Sequence, residues 1–232
     1  VRKHLLVCAY KKTTTGQYRI DIIDNNVRVN QVLWALGAEP IHCLDVSADT
    51  QTLVVGYGRK VLIGRVEGGL NEKFNGTALT NKASDDLLTL TTCVRISLDG
   101  QFFVSSDGGS GTTPANVRVW DIARGHEIKR INNAVSGLIT ALDITDDGSL
   151  VVSGDARGTV TTWSLLGDDD AYHVLSPTTS NEVFSVFFGR TSDNNITVTA
   201  SVGVNAYESN VYKWTLTLPP PPPNAPYHSY DL

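Results

Sequence analysis

The chain has 232 residues, a hydrophobic content of 41% and a formal net charge of −5 at pH 7. A chain of this size and hydrophobicity can bury a substantial core, which excludes disorder for most of it. Its basic residues are scattered, so there is no positive stripe for nucleic acid or an anionic membrane, and its apolar runs are too short to cross a bilayer. We expect neither a nucleic-acid partner nor membrane insertion.

Three cysteines, Cys8, Cys43 and Cys93, lie within apolar stretches. Their odd number and the lack of CxxC spacing argue against both a disulfide framework and a zinc site. We therefore predict buried thiols and an intracellular, cytoplasmic location.

Short runs rich in Val, Ile, Thr and aromatic residues alternate along the chain with turns of Gly, Asp, Asn and Ser. Helical periodicity is nearly absent. This pattern is typical of many short antiparallel strands, so the predicted fold class is all-β.

A unit of strand, tight turn and strand repeats along the chain. It occurs at 45–56, 95–106 and 143–154, with a weaker copy at 185–196. In the second and third copies the turn is Asp-Gly, which is the strongest short signal for a hairpin. The front of the chain, at 4–24, matches only the later strands of such a unit.

A third strand follows each unit, and its clearest forms are at 116–122, 158–164 and 209–215. One tryptophan stands near the end of each. The whole pattern recurs every 43 to 56 residues or so, which is roughly the period of a four-stranded propeller blade with loop insertions.

These residues resemble the WD-repeat family. Trp120 and Asp121 form the dipeptide that names the family, and the segment from Ser153 and Asp155 to Trp163 is similar to its strand, turn and strand signature. The resemblance extends over residues 4 to 217 and implies a β-propeller. It also implies that Trp120, Trp163 and Trp214 pack between blades.

The sequence departs from the family at two points. No Gly-His pair precedes a first strand, and Arg157 and Pro114 stand where the family usually places a turn aspartate. We therefore do not expect the hydrogen-bond network of His, Ser or Thr, Asp and Trp that stiffens the family's blades.

The predicted strands number three, four, four, four and three, which makes five blades with the first and the last incomplete. The resemblance implies that these blades belong to a seven-bladed ring, completed by the remainder of the parent chain or by a partner chain. We expect blades over residues 1–218 and a proline-rich tail over 219–232.

The long inserts between strands should gather on one face of the propeller. Inserts on one face of a repeat scaffold often form its binding surface, so we expect this face to contact other proteins. Tolerated polar insertions are the alternative. The candidate contact residues are Asn75, Lys82, Asp85, Asp107, Ser110, Thr112 and Tyr207.

Five consecutive prolines open the tail, from Pro219 to Pro223, and Pro226 and Tyr227 follow. They predict a stiff polyproline II segment that suits the aromatic grooves of proline-binding modules. A spacer or an end-cap is the alternative.

No metal, nucleophile or nucleotide signature is present, and the five histidines are spread singly. We therefore predict no catalytic residue, no metal and no cofactor. The predicted function is a non-catalytic scaffold for protein–protein interaction in a larger assembly. The alternative is a propeller enzyme with a central-channel site, for which the innermost strands supply only Asp45, Asp143 and His42.

Overall fold

The computed structural model describes residues 5–11, 18–24, 27–32, 40–65, 75–79, 90–107, 114–135, 137–165, 172–175, 180–190, 195–205 and 208–217. Within these residues there are eighteen strands and no helix, and the strands form five antiparallel sheets. The all-β prediction is confirmed, as is the division into three, four, four, four and three strands. No helix among the described residues is long and apolar enough to cross a membrane.

In every sheet the strands pair in sequence order. Sheet A contains β1 (Leu5–Lys11), β2 (Tyr18–Asp24) and β3 (Val27–Val32). Sheet B contains β4 (Ile41–Val46), β5 (Thr52–Tyr57), β6 (Lys60–Arg65) and β7 (Asn75–Leu79). Sheet C contains β8 (Thr91–Ile96), β9 (Phe102–Asp107), β10 (Ala115–Asp121) and β11 (His126–Val135). Sheet D contains β12 (Ile139–Ile144), β13 (Leu150–Asp155), β14 (Val160–Ser164) and β15 (Tyr172–Val174). Sheet E contains β16 (Val183–Arg190), β17 (Asn195–Asn205) and β18 (Glu208–Thr217).

The turn between the first and second strands is built alike in sheets B, C and D. In sheet C the Ser97 hydroxyl donates to Asp99 Oδ1 at 2.5 Å and accepts the Phe102 N–H at 3.1 Å. Asp99 Oδ1 also accepts the Gln101 N–H at 3.0 Å. The same contacts join Ser47 to Asp49 and Thr145 to Asp147. The short Asp turns thus satisfy their own polar groups.

The residue after the turn aspartate takes a left-handed backbone conformation. Gly100 and Gly148 adopt φ values of 68° and 70°, which glycine accepts without steric cost. In sheet B the same place is taken by Thr50, with a φ of 62°. A β-branched residue is strained in the left-handed region. The turn of sheet B therefore keeps the geometry of the Asp-Gly turns in sheets C and D at an energetic cost.

Among the described residues, three core clusters lie between successive sheets from B to E. Each cluster joins the face of one sheet to the opposite face of the next, and each contains a third-strand tryptophan: Trp120 between sheets B and C, Trp163 between C and D, and half-buried Trp214 between D and E. Burial of such a side chain removes about 150–250 Å² from water. The repeated tryptophans therefore serve packing between sheets.

Trp120 also makes a hydrogen bond that the departures from the family pattern led us not to expect. Its indole N–H donates to Ser105 Oγ at 2.9 Å, and its ring stacks on Phe103 with 5.7 Å between centroids. In sheet D the equivalent Ser153 Oγ is buried without a partner among the described residues. Sheets C and D therefore have the same serine and tryptophan at these positions, but the hydrogen bond between them is described only in sheet C.

Two aspartates at the ends of β10 and β13 accept backbone N–H groups of the turns that follow these strands. Asp121 Oδ1 accepts the Arg124 N–H at 2.7 Å, and this hydrogen bond with the Arg124 charge lowers the pKa of Asp121. Asp155 Oδ1 accepts the N–H groups of Arg157 at 2.9 Å and Thr159 at 2.7 Å. The turn of sheet D is thus capped by Asp155, although Arg157 stands where the family usually has its aspartate.

Candidate functional site

The first strands of sheets B to E lie side by side, and they all run in the same direction. Their starts meet where Thr92 Oγ1 donates to Ile139 O at 2.9 Å and Thr140 Oγ1 donates to Val183 O at 2.5 Å. The second strands β5, β9 and β13 each contact the first strand of the next sheet, and β1 of sheet A contacts β4 less extensively. The free edges of these first strands form what we call the inner edge, and their starts lie at what we call the loop-bearing face.

Two carboxylates satisfy backbone groups along the inner edge. Asp45 Oδ2 on β4 accepts the N–H of Ile96 on β8 at 2.8 Å, and Asp143 Oδ2 on β12 accepts the N–H of Phe188 on β16 at 2.7 Å. A buried N–H without an acceptor is costly. Each aspartate therefore links its own sheet to the next one.

Arg95 lies between these two aspartates. Its guanidinium nitrogens are 3.8 Å from Asp45 Oδ1 and 4.0 Å from Asp143 Oδ1, and its Nε donates to Leu142 O at 3.3 Å. Burial raises the pKa of both carboxyl groups above 3.8, and the charge of Arg95 opposes this rise. The structure thus brings together Asp45 and Asp143, and the cation between them was not foreseen.

In sheets B to E each first strand carries a bulge at its second residue, where the pairing register shifts. The bulged residues are Thr92 and Thr140 in sheets C and D, and His42 and Phe184 in sheets B and E. His42 is exposed, and it is not joined to Asp45 or Asp143 by any described hydrogen bond. Among the described residues there is no group of three His, Cys, Asp or Glu side chains that could hold a metal ion.

Sheet E departs from this inner-edge pattern. Phe187 occupies the register position of Asp45, Arg95 and Asp143, and Phe184 occupies that of the two threonines. Both rings are about half exposed. The inner edge therefore changes from charged to aromatic along the series of sheets.

Exposed apolar side chains gather on the loop-bearing face. Leu90 and Leu138 immediately precede β8 and β12, Phe184 stands at the start of β16, and Val204 lies near the end of β17. Their exposed fractions run from 41% to 54%. A Cβ on Gly203 would lie 2.9 Å from the Phe184 ring, so this ring packs against the backbone at Gly203.

Asp107 lies at the same face, but it is not open to a partner as the loop prediction supposed. It is only 2% exposed, and its Oδ2 accepts Arg118 Nη2 at 2.8 Å while its Oδ1 accepts the Asn116 N–H at 2.8 Å. Arg118 is itself buried and also donates to Glu127 at 2.9 Å. This network ties the two ends of the 107–116 loop together.

Asn75 is likewise placed in a strand rather than in a loop. It begins β7 and lies opposite Arg65, because the chain from 75 to 79 forms the fourth strand of sheet B. The other candidate contact residues, Lys82, Asp85, Ser110, Thr112 and Tyr207, lie outside the described residues. The same holds for the tail candidates Pro219, Pro223, Pro226 and Tyr227.

Cys43 and Cys93 are free thiols on β4 and β8. Burial raises the pKa of Cys93 to about 11 and that of Cys43 further above its usual range. Both groups are therefore protonated near neutral pH and are poor nucleophiles. The side chain of Cys8 lies outside the described residues.

No family model and no curated protein matches the chain. Among solved structures it is similar to the computationally designed Ika4 protein, at 21% sequence identity and a TM-score of 0.52. The match covers 79% of this chain and 95% of that protein. At this identity the likeness shows a shared fold and nothing about function.

Proposed function

We propose that the chain is part of a WD-repeat-like β-propeller that acts as a non-catalytic scaffold for protein–protein interaction in a larger intracellular assembly. Two repeated features support the propeller. The first strands of successive sheets run side by side in one direction, and the same hydroxyl and aspartate turn recurs in three sheets.

The observation that carries the scaffold proposal is the apolar group on the loop-bearing face. Leu90, Leu138, Phe184 and Val204 leave large apolar side chains in water. Exposed apolar side chains on one face of a protein are a feature of sites where proteins bind one another. Among the described residues, Arg59, Arg157 and Glu182 lie near the same ends of their sheets, and they would supply the polar rim that such interfaces have.

The inner-edge carboxylates favour this scaffold over the enzymatic alternative. Asp45 and Asp143 each accept a backbone N–H from the next sheet, and Arg95 balances their charge. These contacts give both aspartates a structural role. The proposed ring would be completed by the remainder of the parent chain or by a partner chain. If the native protein were a lone 232-residue monomer, this proposal of a completed ring would be contradicted.

Paired substitutions test the scaffold proposal. A chain with Leu90→Ser and Leu138→Ser should lose the proteins that the unchanged chain retains from an extract of its native source, as quantified by mass spectrometry. The matched control carries Leu98→Ser and Ile128→Ser, at exposed positions toward the opposite end of sheet C. Equal retention by the two double variants would contradict the proposal.

A further inference from the structure

Two buried side-chain oxygens of sheet D have no hydrogen-bond partner among the described residues. They are Ser153 Oγ and Asp155 Oδ2, and both side chains are at most 1% exposed. The two residues stand two positions apart on β13, so they share the face on which Val151 packs against sheet C. Buried polar atoms in proteins normally have a partner, and an exception of this kind points to a bound water or ion.

The equivalent position in sheet C shows what pairs with such a carboxylate. Asp107 ends β9 as Asp155 ends β13, and Asp107 Oδ2 accepts Arg118 Nη2 at 2.8 Å. On the third strand of sheet D, the register equivalent of Arg118 is Thr161. Threonine carries no charge, so sheet D does not provide a cation from the position that provides it in sheet C.

The other oxygen of the Asp155 carboxylate is held by the turn. Asp155 Oδ1 accepts the backbone N–H groups of Arg157 at 2.9 Å and Thr159 at 2.7 Å. N–H donors of this kind favour an ionised carboxylate. The Arg157 side chain makes no hydrogen bond to Oδ2. The unpartnered oxygen therefore carries negative charge at a buried place, where a charge without a partner is costly.

Gly137 leaves room beside this oxygen. A Cβ on Gly137 would lie 3.1 Å from Asp155 Oδ2 and 3.4 Å from Arg157 Cγ, and the glycine has no such atom. An ion can therefore approach Oδ2 from the side of Gly137 without displacing a side chain of that residue. Leu138 of the loop-bearing face follows directly, so the place lies at that end of sheet D.

We propose that Asp155 Oδ2 and Ser153 Oγ bind a monovalent alkali cation, Na⁺ or K⁺, between sheets C and D. Carboxylate and hydroxyl oxygens suit hard cations. One carboxylate balances one positive charge, whereas Ca²⁺ and Mg²⁺ require more oxygen ligands or several bound waters. The ion does in sheet D what the Arg118 guanidinium does in sheet C. This inference does not depend on the function proposed above.

Thermal unfolding of the full chain in KCl, NaCl and tetramethylammonium chloride, at equal ionic strength, tests the proposal. The midpoint should rise by about 2–4 °C when K⁺ or Na⁺ is present at about five times its dissociation constant. Tetramethylammonium is too bulky to enter between packed sheets and should give no such rise. Asp155→Asn should abolish the difference between the salts, because asparagine still accepts the two turn N–H groups but carries no charge. Asp99→Asn, at a turn aspartate of sheet C, is the matched control and should keep the difference.

Two further variants test the ligand and the space. Ser153→Ala should reduce the rise in KCl or NaCl, whereas without alkali cations it removes only a hydroxyl that has no partner. Gly137→Ala keeps both ligands but fills the space beside Oδ2, so it should abolish the difference between the salts. Thallium(I), which substitutes for K⁺, should give an anomalous scattering peak beside Asp155 in crystals of the unchanged chain.

Three results would overturn the proposal. The first is an equal midpoint in the three salts, which is what an ordered water alone would give. The second is a difference between the salts that persists in both Asp155→Asn and Gly137→Ala. The third is a thallium peak at other places but none beside Asp155.

Discussion

Asp143 on β12 accepts the backbone N–H of Phe188 on β16 at 2.7 Å, so a carboxylate of one sheet completes the inner edge of the next. The same relationship joins Asp45 to Ile96 one sheet earlier. Burial raises the pKa of Asp143 above 3.8. A group with a raised pKa stabilises the fold fully below its unfolded pKa, and that contribution is lost as pH rises through the folded value.

Asp143→Asn and Asp147→Asn should therefore show opposite pH dependence. Burial raises the pKa of Asp147 too, but hydrogen bonds from Ser149 and Thr145 outweigh burial and hold it below 3.8. From about pH 3 to about pH 7, the free energy of unfolding of the unchanged chain should fall relative to Asp143→Asn and rise relative to Asp147→Asn. Urea unfolding at several pH values measures both differences, and slopes of the same sign would refute the pKa assignments.

Thr50→Gly should stabilise the chain by about 1 kcal/mol, because glycine accepts the left-handed conformation that strains threonine. Gly100→Thr is the matched control. A Cβ there meets nothing within 4 Å, so its cost reports on the backbone alone and should be about 1 kcal/mol. Thermal unfolding of both variants tests the pair, and a less stable Thr50→Gly chain would show that this turn does not carry the strain.

Ser105→Ala should cost about 1–2 kcal/mol, since it leaves the buried Trp120 N–H without an acceptor. Without alkali cations, Ser153→Ala at the equivalent position should leave the free energy of unfolding unchanged or raise it by about 1 kcal/mol, because it removes a buried hydroxyl that has no partner among the described residues. Chemical denaturation compares the two. Equal losses would mean that Ser153 makes a bond of similar strength, for example to an ordered water.

Arg118→Met should lower the free energy of unfolding by about 3–5 kcal/mol, because it leaves the carboxylates of buried Asp107 and half-buried Glu127 without the cation that pairs with them. Arg124→Met removes an ion pair with Asp121 in which the arginine is 74% exposed, and should cost less than about 1 kcal/mol. Both effects are read from denaturation midpoints. A small loss for Arg118→Met would mean that the network does not hold the 107–116 loop.

The sequence predicted the strands and turns well because their signals are local. Asp99-Gly100 and Asp147-Gly148 mark hairpins by themselves, and the Ser-x-Asp or Thr-x-Asp spacing would have revealed the turn hydroxyls. The position of Arg95 between Asp45 and Asp143 could not be predicted, since it depends on strands about fifty residues apart coming together. Asp107 was expected at an exposed contact surface, and its buried pairing with Arg118 was not foreseen, because a charged residue is normally found at the surface and only this pairing allows burial.

The binding role of the loop-bearing face is tested most directly by hydrogen exchange on the chain, alone and within its native assembly. The account predicts slower exchange in the assembly at 90–92, 137–140, 182–184 and 202–205, and unchanged exchange at the opposite turns 47–51, 97–101 and 145–149. Protection confined to those turns, or none at the loop-bearing face, would contradict it.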